Sequence, residues 1–470
     1  MVVSGIASST LSTAMTTALP NLVEYFCVST SIGQWATSGY SLAMGMVMPL
    51  TAFLITRFPT KKLYLTGIGS FIVGLLLSIF AGNFAFMMIG RILQACGIGI
   101  LMSAAQVIIL TVYPAEKKGT MMGTYGLATT AAPIIAPTIA GLMIDAFGWK
   151  SIFWLVLVIM CISFVISAFV FEDVLELQDK KFDVISFIES IFAFGGITLG
   201  IGNISSFGLI SIQAGLPLVA GIVVCVLFVL RQCGLDKPFL DVKILSNRNY
   251  AVSVISSMVL YLVMMGSSVM MPLYVQDVMG YSAAVSGLVT LPGSLATAVV
   301  SPFAGRMYDK MGIKKIFVIG SVALVISNIG MFFLSMSTPL WAAAVLNVIR
   351  NIAIGSLMMP LLTWGTTNVS FQKVADASSL LTSFRTIAGS IGSAVFVGIM
   401  TTVSANSAAA YGDQALMHGM NVSFLWMTVG ALVLLAISIF AVKSKTRSFH
   451  LFCPAAFSGR FHTCCTLISI

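Results

Sequence analysis

Three arginines of this 470-residue chain, Arg91, Arg350 and Arg385, stand inside long apolar runs. A cation at the centre of a membrane helix costs at least ~2.5 kcal/mol, so each needs a polar partner or a watery cavity, and each is a functional candidate by default. Gln94 follows Arg91 by one turn on the same helical face and can hold its guanidinium or a bridging water. Snorkelling, or a structural bond to backbone carbonyls, is the alternative. Arg350 carries the same logic, whereas Arg385 lies nearer the end of its run and reads as an interfacial anchor. Carboxylates able to titrate inside a membrane are few. Glu189 falls within an apolar run but only six residues after Asp183, so a solvated interfacial position competes with a proton-carrying one. Glu24, Asp145 and Asp277 lie near run ends.

A second constellation is basic. The stretch Pro302 to Lys315, PFAGRMYDKMGIKK, sets Gly305, Arg306, Asp309, Lys310, Gly312, Lys314 and Lys315 between two apolar runs. A weaker copy, LITRFPTKK from Leu54 to Lys62, supplies Arg57, Lys61 and Lys62. Lys62 and Lys315 are 253 residues apart (315 − 62), and Arg91 and Arg350 are 259 apart (350 − 91). Such matching offsets predict two related helical halves, the architecture of secondary transporters. Asp309 and Arg306 would then latch helix ends and release them during rocking. Orientation of the chain in the membrane is the simpler role for the Lys and Arg residues.

The elements that must position these residues follow from composition. With 58% hydrophobic and 8% charged residues and a mean hydropathy of +1.04, the chain lacks the polar surface of a soluble globule. A crossing takes roughly 20 apolar residues, and unpaired backbone groups in lipid cost several kcal/mol each, so the runs are helices. Period-two alternation, the mark of a barrel, is absent. Fourteen helices are expected near 2–19, 34–55, 63–81, 85–112, 121–145, 151–171, 184–205, 211–230, 250–275, 284–306, 315–335, 339–362, 378–401 and 420–442. Placing the amino terminus in the cytoplasm puts 20 of the 24 cationic residues inside and only Lys150 outside, as the positive-inside rule requires. A six-helix half takes roughly 200 residues, so the surplus fits two inserted helices, 184–205 and 211–230.

The reading is therefore an all-α integral membrane protein of fourteen transmembrane helices, six plus two plus six. Its parts are residues 1–171, an insertion 172–249, residues 250–442, and a cytoplasmic tail 443–470 without a span. The net charge of +9 is scattered through short loops, which argues against nucleic acid as a partner. Eight cysteines without CxxC pairs or interleaved histidines indicate neither metal nor disulfides. The amino terminus has no basic n-region, so the first run is expected to be a retained helix. The 28 methionines and 32 phenylalanines read mostly as packing or lipid-facing residues. No Walker-type loop provides for ATP, and no cluster of acids and histidines suggests a membrane enzyme.

Over about the whole chain the sequence resembles the major facilitator superfamily and, within it, the fourteen-helix drug:proton antiporters. GRMYDKMGIKK from Gly305 is similar to the superfamily's loop signature; the first-half copy departs from it with Thr56 for the aspartate and Pro59 for the glycine. Arg91, Gln94, Gly97 and Gly99 resemble the fourth-helix motif. APIIAPTIAG, Ala132 to Gly141, resembles the antiporter motif through Pro133, Pro137 and Gly141, although Ala136 and Ala140 replace glycines. KPFLDVKILSNRNY and PLYVQDVMGYSAAVSGLVTLPG are similar to further segments of the fourteen-helix group. The resemblance implies proton coupling through Arg91 and Gln94, with Glu189 as the candidate carboxylate, a helix bend at Pro133, Pro137 and Gly141, and gating by the basic loops. It also implies export of hydrophobic small molecules by a monomer in the bilayer of a bacterial cell membrane, driven by the proton gradient without a cofactor, both termini cytoplasmic. The first-helix acid that often precedes the ALP motif is replaced here by Leu11. A carrier of a neutral or anionic metabolite or lipid, or a receptor without turnover, are the alternatives.

Overall fold

The computed structural model describes residues 2–28, 30–33, 35–114, 116–174, 177, 183–207, 211–235, 238, 240–281, 283–370 and 373–442. The expected tail, 443–470, and the cations Lys180, Lys181 and Lys237 lie outside the described residues. Lipid offers backbone groups no partner, so the apolar runs close their own hydrogen bonds as helices. In chain order these are α1 (Val2–Phe26), a short α2 (Thr30–Gly33), α3 (Trp35–Arg57), α4 (Thr60–Ile79), α5 (Phe84–Val112), α6 (Lys118–Phe147) and α7 (Lys150–Val170). There follow α8 (Val184–Phe207), α9 (Ile212–Gly234), a 3-10 turn (Val242–Ser246), α10 (Arg248–Leu273), α11 (Ala283–Met311), α12 (Ile313–Phe332), α13 (Leu340–Thr367), α14 (Val374–Tyr411) and α15 (Ala415–Ala436). Short π turns extend α10 over Tyr274–Val278 and α15 over Ile437–Ala441. Among the described residues, 10 helical spans are long and apolar enough to cross a membrane.

The helices outrun their apolar runs. Residues 303–311 contain no proline, and α11 continues through Gly305 to Met311 while α12 starts at Ile313. Arg306, Asp309 and Lys310, expected in a loop, are therefore helical, and a single residue makes the link. That residue must reverse the chain, and Gly312 does so at φ 74°. The first copy has two residues between α3 and α4, so Pro59 at φ −52° suffices and no glycine is needed.

Two hydrophobic cores organise the bundle. One is drawn from α1 and α3 to α7, with Leu11, Phe71, Met87 and Phe153 fully buried; the other from α10 to α15, centred on Tyr274, Phe317, Leu324 and Phe424. The methionines Met270, Met420 and Met427 are fully buried here, which makes them packing residues. Helices α8 and α9 pair with each other; α8 packs on α3 and α14, and Phe228 of α9 reaches the same helices. At their base Asp183 accepts hydrogen bonds from the N–H groups of Ile185 and Ser186 and pairs with Arg231 at 3.1 Å.

Three smaller clusters join the two bundles, all at the basic end. Leu110 and Met122 meet Met359, Leu362 and Leu381; Ile55, Leu63 and Val107 meet Ala375; Phe53 meets Phe228 and Leu380. Among the described residues no hydrophobic cluster joins the bundles at the opposite end.

Candidate functional site

The bundles touch most closely where α6 crosses α11. Gly119 and Gly305 face each other so closely that a Cβ on either would run into the other's backbone, and Gly123 packs on Ser301 in the same way. This approach brings Asp309, in the last turn of α11, onto the first turn of α6. Its Oδ1 accepts the Gly119 N–H at 2.9 Å, and its Oδ2 accepts the Thr120 N–H at 2.7 Å and the Thr120 hydroxyl at 2.6 Å. A carboxylate on unpaired N–H groups at a helix N-terminus is favoured by charge and dipole together. Arg306 takes no part: it is exposed, lies over the Phe303 ring at 5.8 Å, and forms no ion pair with Asp309 among the described residues. Lys310 and Lys315 are likewise exposed, Lys314 partly so.

The first copy works differently. Thr56 donates to the Phe53 carbonyl within α3, and Arg57 ends that helix exposed. Asp173, beyond α7, accepts the Lys61 N–H at 2.9 Å and so occupies the start of α4, with Lys62 exposed beside it. At the start of α14, Lys373 pairs with Asp241 at 2.6 Å. Slightly deeper, Gln106 of α5 accepts from Ser378 at 3.3 Å and Thr382 at 3.4 Å, both on α14, which completes the closure at this end.

Arg91 and Gln94 meet inside the first bundle. Glycines seven residues apart on α4, Gly67 and Gly74, face Gly90 and Gly97 on α5, so the helix backbones nearly touch. Gln94 therefore reaches the Gly74 carbonyl and the Ser78 hydroxyl, both at 2.9 Å, and its Oε1 accepts Arg91 Nη1 at 2.8 Å. Arg91 Nε donates to the Ala36 carbonyl at 3.0 Å and the guanidinium lies 4.1 Å from the Tyr40 ring centroid, while Nη2 has no hydrogen-bond partner. Sequence reasoning found the pair but missed Ala36, Tyr40 and Ser78; the seven-residue glycine spacing was the available signal.

Arg350 is held in the second bundle by Asn347 at 2.5 Å and Met331 Sδ at 3.0 Å. Arg385 is not an interfacial anchor. Because α14 begins at Val374 and runs 38 residues, Arg385 lies well inside it, only 5% exposed, over the Tyr261 ring of α10 at 4.9 Å. Glu189 stays apart from Arg91. It sits on α8, whose principal neighbours are α9, α3 and α14, and its buried Oε2 has no hydrogen-bond partner. Helix α6 continues unbroken through Pro133, Pro137 and Gly141, whose surroundings lie outside the described residues. A cavity of about 520 Å³ opens between α8, α14 and α15, lined by Ile201, Val395, Ile399 and Trp426. Among the described residues no group of acidic, histidine or cysteine side chains could hold a metal.

The arrangement is two helical bundles, clamped at one end by a carboxylate and carrying buried cations between and within them. The family model of the Major Facilitator Superfamily matches residues 1–393. The chain is 31% identical over 435 residues to the uncharacterized MFS-type transporter YcnB of Bacillus subtilis, covering 93% of this chain and 92% of that one. It is 30% identical over 445 residues to the lincomycin resistance protein LmrB of the same organism, covering 92% of each. The crystal structure of the human organic anion transporter MFSD10 superposes with a TM-score of 0.65 at 14% identity over 92% of this chain and 97% of that one, a likeness of fold alone. The chain is a multi-pass membrane transporter, not an enzyme, and it belongs to the major facilitator superfamily.

Proposed function

We propose that this chain exports hydrophobic small molecules from a bacterial cell by exchanging them for protons, as a fourteen-helix drug:proton antiporter. It crosses the membrane fourteen times in a six plus two plus six arrangement, with residues 1–171 rocking against 250–442 and the pair in 172–249 alongside. Both termini and the basic end face the cytoplasm, where the lysines and arginines concentrate. The observation that carries this reading is the Asp309 clamp on Gly119 and Thr120, together with bundle-joining clusters that, among the described residues, lie at that end. Closure at one end and separation at the other is what alternating access requires. Arg91 and Gln94 serve coupling, with Glu189 as the candidate carboxylate, and Pro133, Pro137 and Gly141 let α6 bend. The name of LmrB supports a drug-like substrate.

The experiment is efflux of ethidium and of labelled lincomycin from cells expressing the chain, with and without a protonophore. Protonophore-sensitive efflux of either compound above an empty-vector control supports the reading; equal retention of both sinks it. A second reading, a carrier of a neutral or anionic molecule, is favoured by Leu11, which stands fully buried where a first-helix acid would attract cations.

A further inference from the structure

Arg385 differs from the other two buried arginines. Arg91 has two of its nitrogens bonded into the first bundle and Arg350 two of its nitrogens bonded into the second. Arg385 has both Nε and Nη1 buried without any hydrogen-bond partner, and among the described residues it forms no ion pair. The acid on its own helix, Asp376, is nine residues earlier, about 13 Å down the axis. Its face is completed by Tyr261 of α10, over whose ring it lies, and by Tyr125 of α6, which is near enough to feel its charge. Tyr125 is 2% exposed and its hydroxyl also lacks a partner. Buried donors are almost always satisfied, so two stranded donors on Arg385, with a third on Tyr125 of the other bundle, mark a place for an acceptor.

The position suits a transported molecule. Arg385 lies eleven residues into α14, about 16 Å from its basic end, which is close to the middle of a ~30 Å hydrocarbon layer. It stands one turn beyond Thr382, which with Ser378 and Gln106 forms the contact that closes the basic end. Ser378, Thr382 and Arg385 recur at helical spacing, so Arg385 lies on the α14 face that meets the first bundle.

We infer that Arg385, Tyr125 and Tyr261 form a subsite for the carboxylate of an otherwise hydrophobic, aromatic substrate. The inference rests on the transporter reading and names its substrate class. Arg385 supplies the charge and open donors, Tyr125 a hydroxyl donor from the opposite bundle, and Tyr261 an apolar wall already stacked on the guanidinium. Because the donors come from both bundles, separating them at this level dismantles the subsite, which releases the anion when the basic end opens.

The test is thermal unfolding of the purified chain in neutral detergent with two probes of matched shape, 2-naphthoate and 2-naphthylmethylammonium. Naphthoate is expected to raise Tm and the ammonium probe to leave it unchanged. Arg385→Met should weaken naphthoate affinity at least about tenfold, Tyr125→Phe less, and Arg385→Lys should restore part of it. Without ligand, Arg385→Met should unfold at or above the wild-type temperature, because it removes a buried charge with no partner. A drop in unliganded Tm with no naphthoate effect would make Arg385 structural and overturn the proposal. So would equal stabilisation by both probes, a naphthoate effect that survives Arg385→Met, or stabilisation by phosphatidylglycerol alone, which would assign the site to a lipid headgroup. Naphthoate binding that depends on Arg385 in a chain that moves no compound would sink the transport reading and leave the subsite standing.

Discussion

Removing the Asp309 carboxylate should open the basic end. Its two oxygens accept three bonds from the first turn of α6, at 2.6 to 2.9 Å, in a site where Asp309 is 8% exposed. Bonds to a charged group contribute about 1.5–3 kcal/mol each before resolvation, so the clamp is worth roughly 4.5–9 kcal/mol gross. Water reaches the start of α6 once the ends part and recovers most of that. A net loss of about 3 kcal/mol for Asp309→Ala follows, a shift of roughly 150-fold toward the open form. Asp309→Asn keeps one acceptor but no charge and should lose about half as much, roughly 12-fold. The readout is the labelling rate of Met122→Cys by a membrane-impermeant maleimide, in a background whose eight cysteines are replaced. Met122 is fully buried between the bundles beside Leu362, so it reacts only when they separate. Met87→Cys, deep in the first core, should stay protected in every variant. An Asp309→Ala rate within about threefold of wild type would refute the clamp, since the arithmetic demands two orders of magnitude.

The remaining predictions concern packing, coupling and pH. Gly119→Val places a branched side chain against the α11 backbone at Gly305, so transport should stop while membrane abundance holds, and Met122→Cys should label fast. Arg91→Lys cannot hold the Ala36 carbonyl and Gln94 Oε1 together, so efflux at matched abundance should fall at least about tenfold; unchanged efflux would make the pair dispensable. Asp183 lies ahead of α8 and is partly desolvated, which alone would raise its pKa, but its bonds to Ser186 and the Arg231 charge hold it below the ordinary 3.8. A depressed carboxylate adds stability above its unfolded pKa that is lost as pH falls through the lower folded value, so this contribution fades only below about pH 4. Asp183→Asn should therefore flatten the acid limb of Tm against pH, and an identical limb would exclude the pair as its source.

The helices were legible because lipid leaves a long apolar run a single backbone solution. Their ends were less so. Arg306, Asp309 and Lys310 looked like loop residues because they are charged, yet a helix ends where its backbone breaks, and the break is Gly312. The same error shortened α14 and made Arg385 look peripheral. Within the site, Arg91 and Gln94 were readable from spacing along one helix. Gln106 with Ser378 and Thr382 was not, since these pairs are separated by more than 250 residues and meet only when the bundles pack. Asp309 was singled out as a latch, but its acceptor role toward backbone N–H groups is invisible to residue typing, and the Arg306 expected beside it points elsewhere.

Proton-coupled export is tested with purified chain in liposomes, with the membrane potential clamped and the lumen more acidic than the bath. Uptake of ethidium or lincomycin into the lumen should rise with lumenal acidity, collapse on adding nigericin, and vanish in Arg91→Ala. Uptake of the same size with and without the pH gradient would contradict proton antiport, whatever the substrate.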